Sequence, residues 1–168
     1  TNHGYEDVST PILHQPMSAP RRVVIEDDCW LGINVCVLSG VTIVDPGSAC
    51  IEPTVEIEND ATIHPFVVLR GATHVASGAE IHPQTVAIDA TIGPGAAVGP
   101  FCYLRPGTVL ERDSKAGTFV EIKNSRIGAR TKVPHLSYIV DADLGDDTNV
   151  GAGAITANFP HKPGRPKG

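Results

Sequence analysis

Aliphatic residues recur every six positions through most of this chain, and this period limits the possible folds more than any other feature. An amphipathic helix repeats at 3.6 residues and a half-buried strand at two, so neither produces the pattern. A six-residue unit indicates a short strand followed by a tight corner, where Gly, Asn and Asp accept the turn conformation. The longest series are Ile51, Ile57, Ile63, Leu69, Val75 and Ile81, then Ile92, Val98, Leu104, Leu110, Ala116 and Ile122.

Three such units complete one triangular coil, so residues eighteen apart should stack on one another. The predicted pairs are Ile25 on Ile43, Ile63 on Ile81, and Leu104 on Ile122. Neighbouring coils then lie one strand spacing apart, roughly 4.8 Å, and their backbone amides pair with the coil above or below. The predicted fold class is therefore all-β, a parallel β-helix of triangular coils.

The six-residue frame is interrupted at four places, namely 43–51, 81–92, 122–127 and 139–144. At each of them we expect an irregular corner or a protruding loop. Aromatic residues form only 5% of the chain, whereas it has 17 glycines and 14 prolines, which fits a narrow interior and many turns. The 168 residues are enough for one domain.

Charge and cysteine content restrict the partners. The net charge of -6 argues against nucleic acid or a membrane as a partner, although residues 101–135 are locally basic and suit an anion. The four cysteines show neither metal-ligand spacing nor a disulfide pattern, so we expect small buried or half-buried thiols and no metal. No signal peptide or apolar membrane-spanning run is evident, which favours the cytoplasm.

The first 43 residues resemble the sugar O-acetyltransferases of the hexapeptide-repeat acyltransferase superfamily. The motifs that carry this resemblance are Thr1-Asn2-His3-Gly4-Tyr5, Asp28-Cys29-Trp30-Leu31-Gly32-Ile33-Asn34-Val35 and Gly40-Val41-Thr42-Ile43. In those enzymes a histidine at the position of His3 deprotonates a sugar hydroxyl, so the resemblance implies that role for His3.

Residues from about 40 to 168 resemble another member of this superfamily. The motifs are Gly99-Pro100-Phe101, Leu104-Arg105-Pro106-Gly107, Phe119-Val120-Glu121-Ile122-Lys123-Asn124, Lys132-Val133-Pro134-His135-Leu136-Ser137-Tyr138 and Asn149-Val150-Gly151-Ala152-Gly153. They resemble the acetyltransferase domain of the bifunctional N-acetylglucosamine-1-phosphate uridyltransferase and glucosamine-1-phosphate acetyltransferase. The resemblance implies a left-handed coil, a homotrimer, acetyl-CoA as co-substrate and an amino-sugar phosphate as acceptor, in UDP-N-acetylglucosamine and peptidoglycan synthesis.

The same resemblance implies roles for individual residues. His135 matches the general base, which suits an imidazole that titrates near neutrality. Arg105 and Lys123 match phosphate contacts and lie eighteen positions apart, so one phosphate can meet both. Glu121 is a further candidate, for orienting the base or the amine. The matched sugar-binding residues are Tyr138 and Asn149, and those matched to acetyl-CoA are Ala152, Asn158 and Phe159, the last replacing a common tyrosine.

We expect three parts along the chain. Residues 1–43 form the O-acetyltransferase-like loop and the first coils, residues 44–158 form the acetyltransferase-like β-helix, and residues 159–168 form a truncated loop. The chain lacks an initial Met and ends at Lys167-Gly168, so we expect an excised piece without the coils that hold the coenzyme. Either Lys162 or Lys167 replaces a family lysine. Three functions stay open: N-acetyl transfer to glucosamine-1-phosphate through His135, sugar O-acetyl transfer through His3, or a non-catalytic β-helix.

Overall fold

The computed structural model describes residues 39–156, together with the backbone of two short strands at 24–25 and 36–37. It consists almost entirely of parallel β-strands wound into a β-helix of about six turns, which confirms the fold class predicted from the six-residue period. A single 3₁₀ turn at 46–48 is the helical element of this described region. Over the same residues, no helix has the length and apolarity needed to span a membrane.

The strands are short, and most of them contain two residues, as a six-residue unit requires. In chain order they are β1 Val24–Ile25, β2 Cys36–Val37, β3 Thr42–Ile43, β4 Cys50–Ile51, β5 Glu56–Ile57, β6 Thr62–Ile63, β7 Val68–Arg70, β8 His74–Val75, β9 Glu80–Ile81, β10 Val86–Ile88, β11 Thr91–Ile92, β12 Ala97–Val98, β13 Tyr103–Leu104, β14 Val109–Leu110, β15 Lys115–Lys123, β16 Arg126–Ile127, β17 Lys132–Val140 and β18 Asp143–Leu144.

Successive strands form the three faces of the coil. The first face contains β1, β3, β6, β9 and β12, the second contains β4, β7, β10 and β13, and the third contains β2, β5, β8, β11, β14, β16 and β18. The nine-residue strands β15 and β17 begin on the first face and continue round the corner onto the second. They therefore join these two faces where the candidate site residues are concentrated.

Stacked aliphatic side chains fill the interior. The registers pair Ile25 with Ile43, Ile63 with Ile81, and Leu104 with Ile122, so all three predicted stacks are confirmed. The aliphatic residues that point inward from 39 to 140 are almost completely buried. Strands β3 to β14 and β16 each contribute one buried aliphatic side chain, and the longer strands β15 and β17 contribute more than one. The core of the described region is therefore a continuous column of Ile, Leu, Val and Ala.

The four interruptions of the repeat all coincide with irregular corners, but none of these is a long protruding loop. At 43–51 the 3₁₀ turn Pro46–Ser48 occupies the corner and lengthens the coil, so that Thr42 pairs with Thr62, twenty positions later. The other three corners are one residue shorter than usual. Each turns on one polar residue with positive φ, namely Asp89 (46°), Asn124 (43°) and Asp141 (49°). Asn and Asp tolerate this left-handed conformation better than other non-glycine residues.

The expected boundary after residue 43 lies inside a continuous sheet. Strand β3, which ends at Ile43, pairs with β1 on one side and with β6 on the other. The coil therefore runs through this position without a break in hydrogen bonding. Residues 157–168 and most residues before 39, among them His3, lie outside the described part of the chain.

The two cysteines whose side chains the structure describes fit the expectation of small structural thiols. Cys102 is buried in the core, and this burial raises the pKa of its thiol to about 12. Cys50 is half-buried. Neither forms a disulfide, and a buried neutral thiol of this kind is chemically inert.

Gly117 on β15 lies against the backbone of Pro134 on β17, and this contact predicts a strong effect of Gly117→Ala. An added Cβ would overlap the Pro134 carbonyl oxygen and lie 2.7 Å from its carbonyl carbon. Relief of this overlap requires a shift of the backbone of β15 or β17. The free energy of unfolding, measured by urea denaturation, should therefore fall by about 1–3 kcal/mol. In the control Gly145→Ala, the added Cβ has no neighbouring atom within 4 Å. The free energy of unfolding of this variant should therefore change by no more than about 1 kcal/mol. Equal effects in the two variants would contradict this prediction.

Candidate functional site

Two basic side chains lie next to each other on the second face. Leu104 pairs with Ile122, so the residues that follow them, Arg105 and Lys123, occupy the same position on neighbouring coils. The Arg105 amide donates to the Ile122 carbonyl at 2.8 Å, which keeps the two strands in this register. Both side chains are half-buried, and the strand spacing of roughly 4.8 Å separates their backbones. One anion can therefore contact both.

The Glu121 carboxylate is the main partner of the Arg105 guanidinium. Arg105 Nη1 donates to Glu121 Oε1 at 2.9 Å, and this hydrogen bond raises the pKa of Arg105. The interaction holds the guanidinium against the second face through one of its N–H groups. Because arginine has five N–H donors in a fixed fork, an anion can bind the others without displacing Glu121.

Two tyrosines flank Glu121 on the neighbouring coils. The register places Tyr103 opposite Glu121 on one side and Tyr138 on the other. The Arg105 Cζ atom lies 6.0 Å from the centroid of the Tyr103 ring, at the limit of a cation–π contact. Tyr103 is not among the residues predicted from the sequence, although its spacing of eighteen residues from Glu121 was a signal for it.

His135 lies on β17 at the bend between the first and second faces. It pairs with Thr118 of β15, its side chain is exposed, and the next residue, Leu136, has a φ of 40°. The Ser137 hydroxyl donates to the His135 carbonyl oxygen at 2.8 Å and fixes the local backbone. Among residues 39–156 no side chain forms a hydrogen bond with its imidazole. Both ring nitrogens are therefore available to a ligand, and no carboxylate of this region selects a tautomer.

The remaining predicted residues lie on the next coil or beyond it. Asn149 is exposed and forms a parallel bridge with Lys132, which places it on the first face. Ala152 is exposed in a turn one coil beyond His135, and the neighbouring Gly153 amide donates to the Leu136 carbonyl at 2.7 Å. The residues outside the described region are Asn158, Phe159, Lys162 and Lys167.

The predicted site residues thus form two groups with His135 between them. Arg105, Lys123 and Tyr138 lie together on three neighbouring coils of the second face, whereas Asn149 lies on the first face. Two cations, a phenol and an exposed imidazole can bind a polar anion and accept a proton from it.

Comparisons with known proteins show where related sequences occur. No protein-family model matches the chain. The bifunctional protein GlmU of Streptomyces coelicolor is 45% identical over 157 residues, which cover 84% of this chain and 32% of that protein. GlmU of Streptomyces griseus is 48% identical over 138 residues (73% and 29%), and GlmU of Bifidobacterium animalis is 48% identical over 146 residues (76% and 32%). The chain spans about a third of the length of these relatives. By this similarity, the chain is a homologue of part of the bifunctional GlmU proteins.

Proposed function

We propose that this chain transfers the acetyl group of acetyl-CoA to the amine of glucosamine-1-phosphate. The observation that carries the proposal is the placement of Arg105 and Lys123 on neighbouring coils, with Tyr138 on the following coil. The similarity to GlmU proteins and the acetyltransferase motifs support it. The reaction belongs to UDP-N-acetylglucosamine synthesis, which precedes peptidoglycan assembly, and we place it in the cytoplasm.

In this proposal His135 is the general base. The neutral amine nitrogen attacks the thioester carbonyl carbon, so a C–N bond forms and the C–S bond breaks. The proton lost by the amine passes to the His135 imidazole and is then given to the CoA thiolate. N-acetylglucosamine-1-phosphate and CoA are the products. The exposed position of the His135 side chain on β17 supports this role, because an acceptor can approach both ring nitrogens.

The acceptor phosphate binds Arg105 and Lys123. Arg105 offers N–H groups that Glu121 does not use, and Lys123 adds a second positive charge one coil away. Glu121 keeps the guanidinium in place and so positions the phosphate relative to β17. This supports Glu121 as a positioning residue for Arg105, and not as the partner of the base.

Other residues contact the sugar and the coenzyme. The Tyr138 phenol and the Asn149 amide can hydrogen-bond the sugar hydroxyls on either side of His135. Ala152 is exposed one coil beyond His135, and its backbone is proposed to contact the acetyl group of acetyl-CoA on the basis of the sequence motifs. Asn158 and Phe159 follow in the chain and are proposed to contact the thioester end of the coenzyme on the basis of the sequence motifs.

An exposed apolar ladder supports assembly into a homotrimer. The ladder consists of Phe66, Phe101, Phe119 and Leu136, which lie at the corner between the first and second faces and are 49–62% exposed. The Phe101 and Phe119 rings stack with centroids 5.5 Å apart. Phe101, Phe119 and Leu136 lie on successive coils, whereas Gln84 lies between Phe66 and Phe101. Exposed apolar side chains of this kind favour protein contacts. Because Leu136 follows His135, such an interface would place the base beside a neighbouring subunit.

The experiment that tests the proposed function incubates the purified chain with acetyl-CoA and glucosamine-1-phosphate. We expect mass spectrometry to detect CoA and N-acetylglucosamine-1-phosphate in equal amounts, with far less product from glucosamine. Absence of product while the chain still binds glucosamine-1-phosphate would support a non-catalytic β-helix. Acetylation of an unphosphorylated sugar hydroxyl would instead support O-acetyl transfer.

Arg105→Ala is expected to raise the KM for glucosamine-1-phosphate by about 10- to 100-fold. A hydrogen bond to a charged group contributes about 1.5–3 kcal/mol, which corresponds to this range. Steady-state kinetics should show a smaller effect on kcat. The matched control is Arg126→Ala on the third face, where Arg126 contacts Glu111 at 3.0 Å and Asp143 at 3.2 Å. If both variants change the KM equally, Arg105 does not bind the phosphate.

A further inference from the structure

Two histidines and a glutamate converge on the first face, in a part of the coil that the proposed reaction does not use. Thr62 pairs with Glu80 and Ile63 with Ile81, so His64 and His82 occupy the same position on neighbouring coils. Glu80 and His82 are two residues apart along an extended segment, and their side chains therefore point to the same side. The fold thus brings together three metal-binding side chains that are eighteen or fewer residues apart.

The three side chains are close enough to share a ligand. His64 Nε2 lies 2.9 Å from Glu80 Oε1, and His82 Nδ1 lies 3.8 Å from the same oxygen. One donor atom from each residue lies within 4.8 Å of the other two. The imidazole rings stack with centroids 5.3 Å apart and an interplanar angle of 25°. These residues are partly accessible, so an ion can reach them from solvent.

We propose that His64, Glu80 and His82 form a binding site for a divalent transition metal ion such as Zn²⁺. Two imidazole nitrogens and a carboxylate oxygen are a ligand set that zinc uses in proteins, with metal–ligand distances of about 2.0–2.2 Å. Tetrahedral bonds of this length separate the donor atoms by roughly 3.3 Å. The two separations from Glu80 Oε1, 2.9 Å to His64 Nε2 and 3.8 Å to His82 Nδ1, lie on either side of this value, so small side-chain rotations can bring the three donors to it. Water fills the remaining coordination position.

The surroundings favour an ion over a simple ion pair. The residues on the coils above and below Glu80 are Ala97 and Thr62, and those that flank His64 and His82 are Val44 and Gly99. All four are uncharged, and three of them are small, which leaves room for a hydrated ion. No cationic side chain on these adjacent positions competes for the Glu80 carboxylate.

The site is separate from the proposed acetyl-transfer site. Along the first face, Glu80 is followed by Ala97, Lys115 and Lys132, and His135 lies just beyond Lys132. Three coil spacings correspond to roughly 14 Å. The ion would bridge two neighbouring coils, and binding to the folded chain alone would stabilise their register by mass action.

Titration of the full chain with ZnCl₂, followed by calorimetry, tests this proposal. We expect the unsubstituted chain to bind one more equivalent of Zn²⁺ than His64→Asn or His82→Asn does. If the variants still bind this equivalent, their dissociation constant should be at least tenfold larger. Co²⁺ should give visible absorption bands typical of tetrahedral nitrogen and oxygen coordination, and these should be lost in Glu80→Gln. The matched control is His74→Asn, because His74 forms a similar ion pair with Glu58 at 3.1 Å but belongs to no such cluster among residues 39–156.

A second measurement avoids substitutions and so stands even if a variant fails to fold. Diethyl pyrocarbonate modifies accessible imidazoles, and peptide mass mapping identifies them. Zn²⁺ should protect His64 and His82 at least tenfold while His74 and His135 stay reactive. Zn²⁺ binding that is unchanged in both histidine variants, or equal modification of all four histidines with and without Zn²⁺, would overturn the proposal and leave a solvated histidine–glutamate cluster.

Discussion

His135→Asn is expected to lower the kcat for acetyl transfer to glucosamine-1-phosphate by about 10²- to 10⁴-fold. This is the usual contribution of a general base, and asparagine cannot accept the proton of the amine. The KM for the sugar phosphate should change little, because the phosphate contacts belong to Arg105 and Lys123. The His135 side chain is exposed and has no side-chain hydrogen bond within residues 39–156, so the fold should tolerate the change.

The control for this prediction is His74→Asn, a partly exposed histidine on the third face. Its kcat should equal that of the unsubstituted chain when product formation is followed by mass spectrometry. Circular dichroism should show the same β-structure in both variants. A His135→Asn chain with full activity would exclude His135 as the base, while leaving the phosphate contacts open to the Arg105 test.

Ile122→Ala is expected to lower the free energy of unfolding by about 2–5 kcal/mol. Ile122 is completely buried and stacks between Leu104 and Ile139 of the neighbouring coils. Truncation removes apolar contacts on both sides and leaves a cavity, because the hydrogen-bonded coils cannot collapse onto it. Ile122 lies between Glu121 and Lys123, so loss of its packing should also disturb the phosphate contacts.

Urea denaturation of Ile155→Ala is the matched control for this effect. Ile155 is 70% exposed, and its truncation should change the free energy of unfolding by less than about 0.5 kcal/mol. The same residue type is thus compared in buried and exposed positions of the second face. If the two variants lose similar amounts of free energy of unfolding, the buried column of aliphatic residues is not the main source of the coil's stability.

Much of the fold could be predicted because each repeat carries the same local information. Leu104 and Ile122 are eighteen positions apart, and three six-residue units close one coil, so their contact follows from the spacing alone. Arg105 and Lys123 follow these two residues, which made their proximity predictable as well. Side chains alternate between the two sides of a strand, and this alternation determines which residues face inward and which face solvent.

Other features depend on contacts between coils that the period does not specify. The sequence marked an interruption near Asp89 and Asn124, but the short corners with positive φ became visible only in the structure. Arg105 on one coil pairs diagonally with Glu121 on the next coil. Other acidic residues have the same sequence separation from a basic residue, so the spacing alone did not identify this pair. Tyr103, in contrast, could have been predicted, because it lies eighteen residues from Glu121.

The six-residue period by itself determined the parallel β-helix, its buried column and the stacking of residues eighteen apart. It could do so because a strand and a corner are local structures, and every repeat restates them. Only the tertiary structure decided which outward side chains meet. The cluster of His64, Glu80 and His82 has no sequence motif, since its members come from two coils and their distances depend on register and side-chain direction.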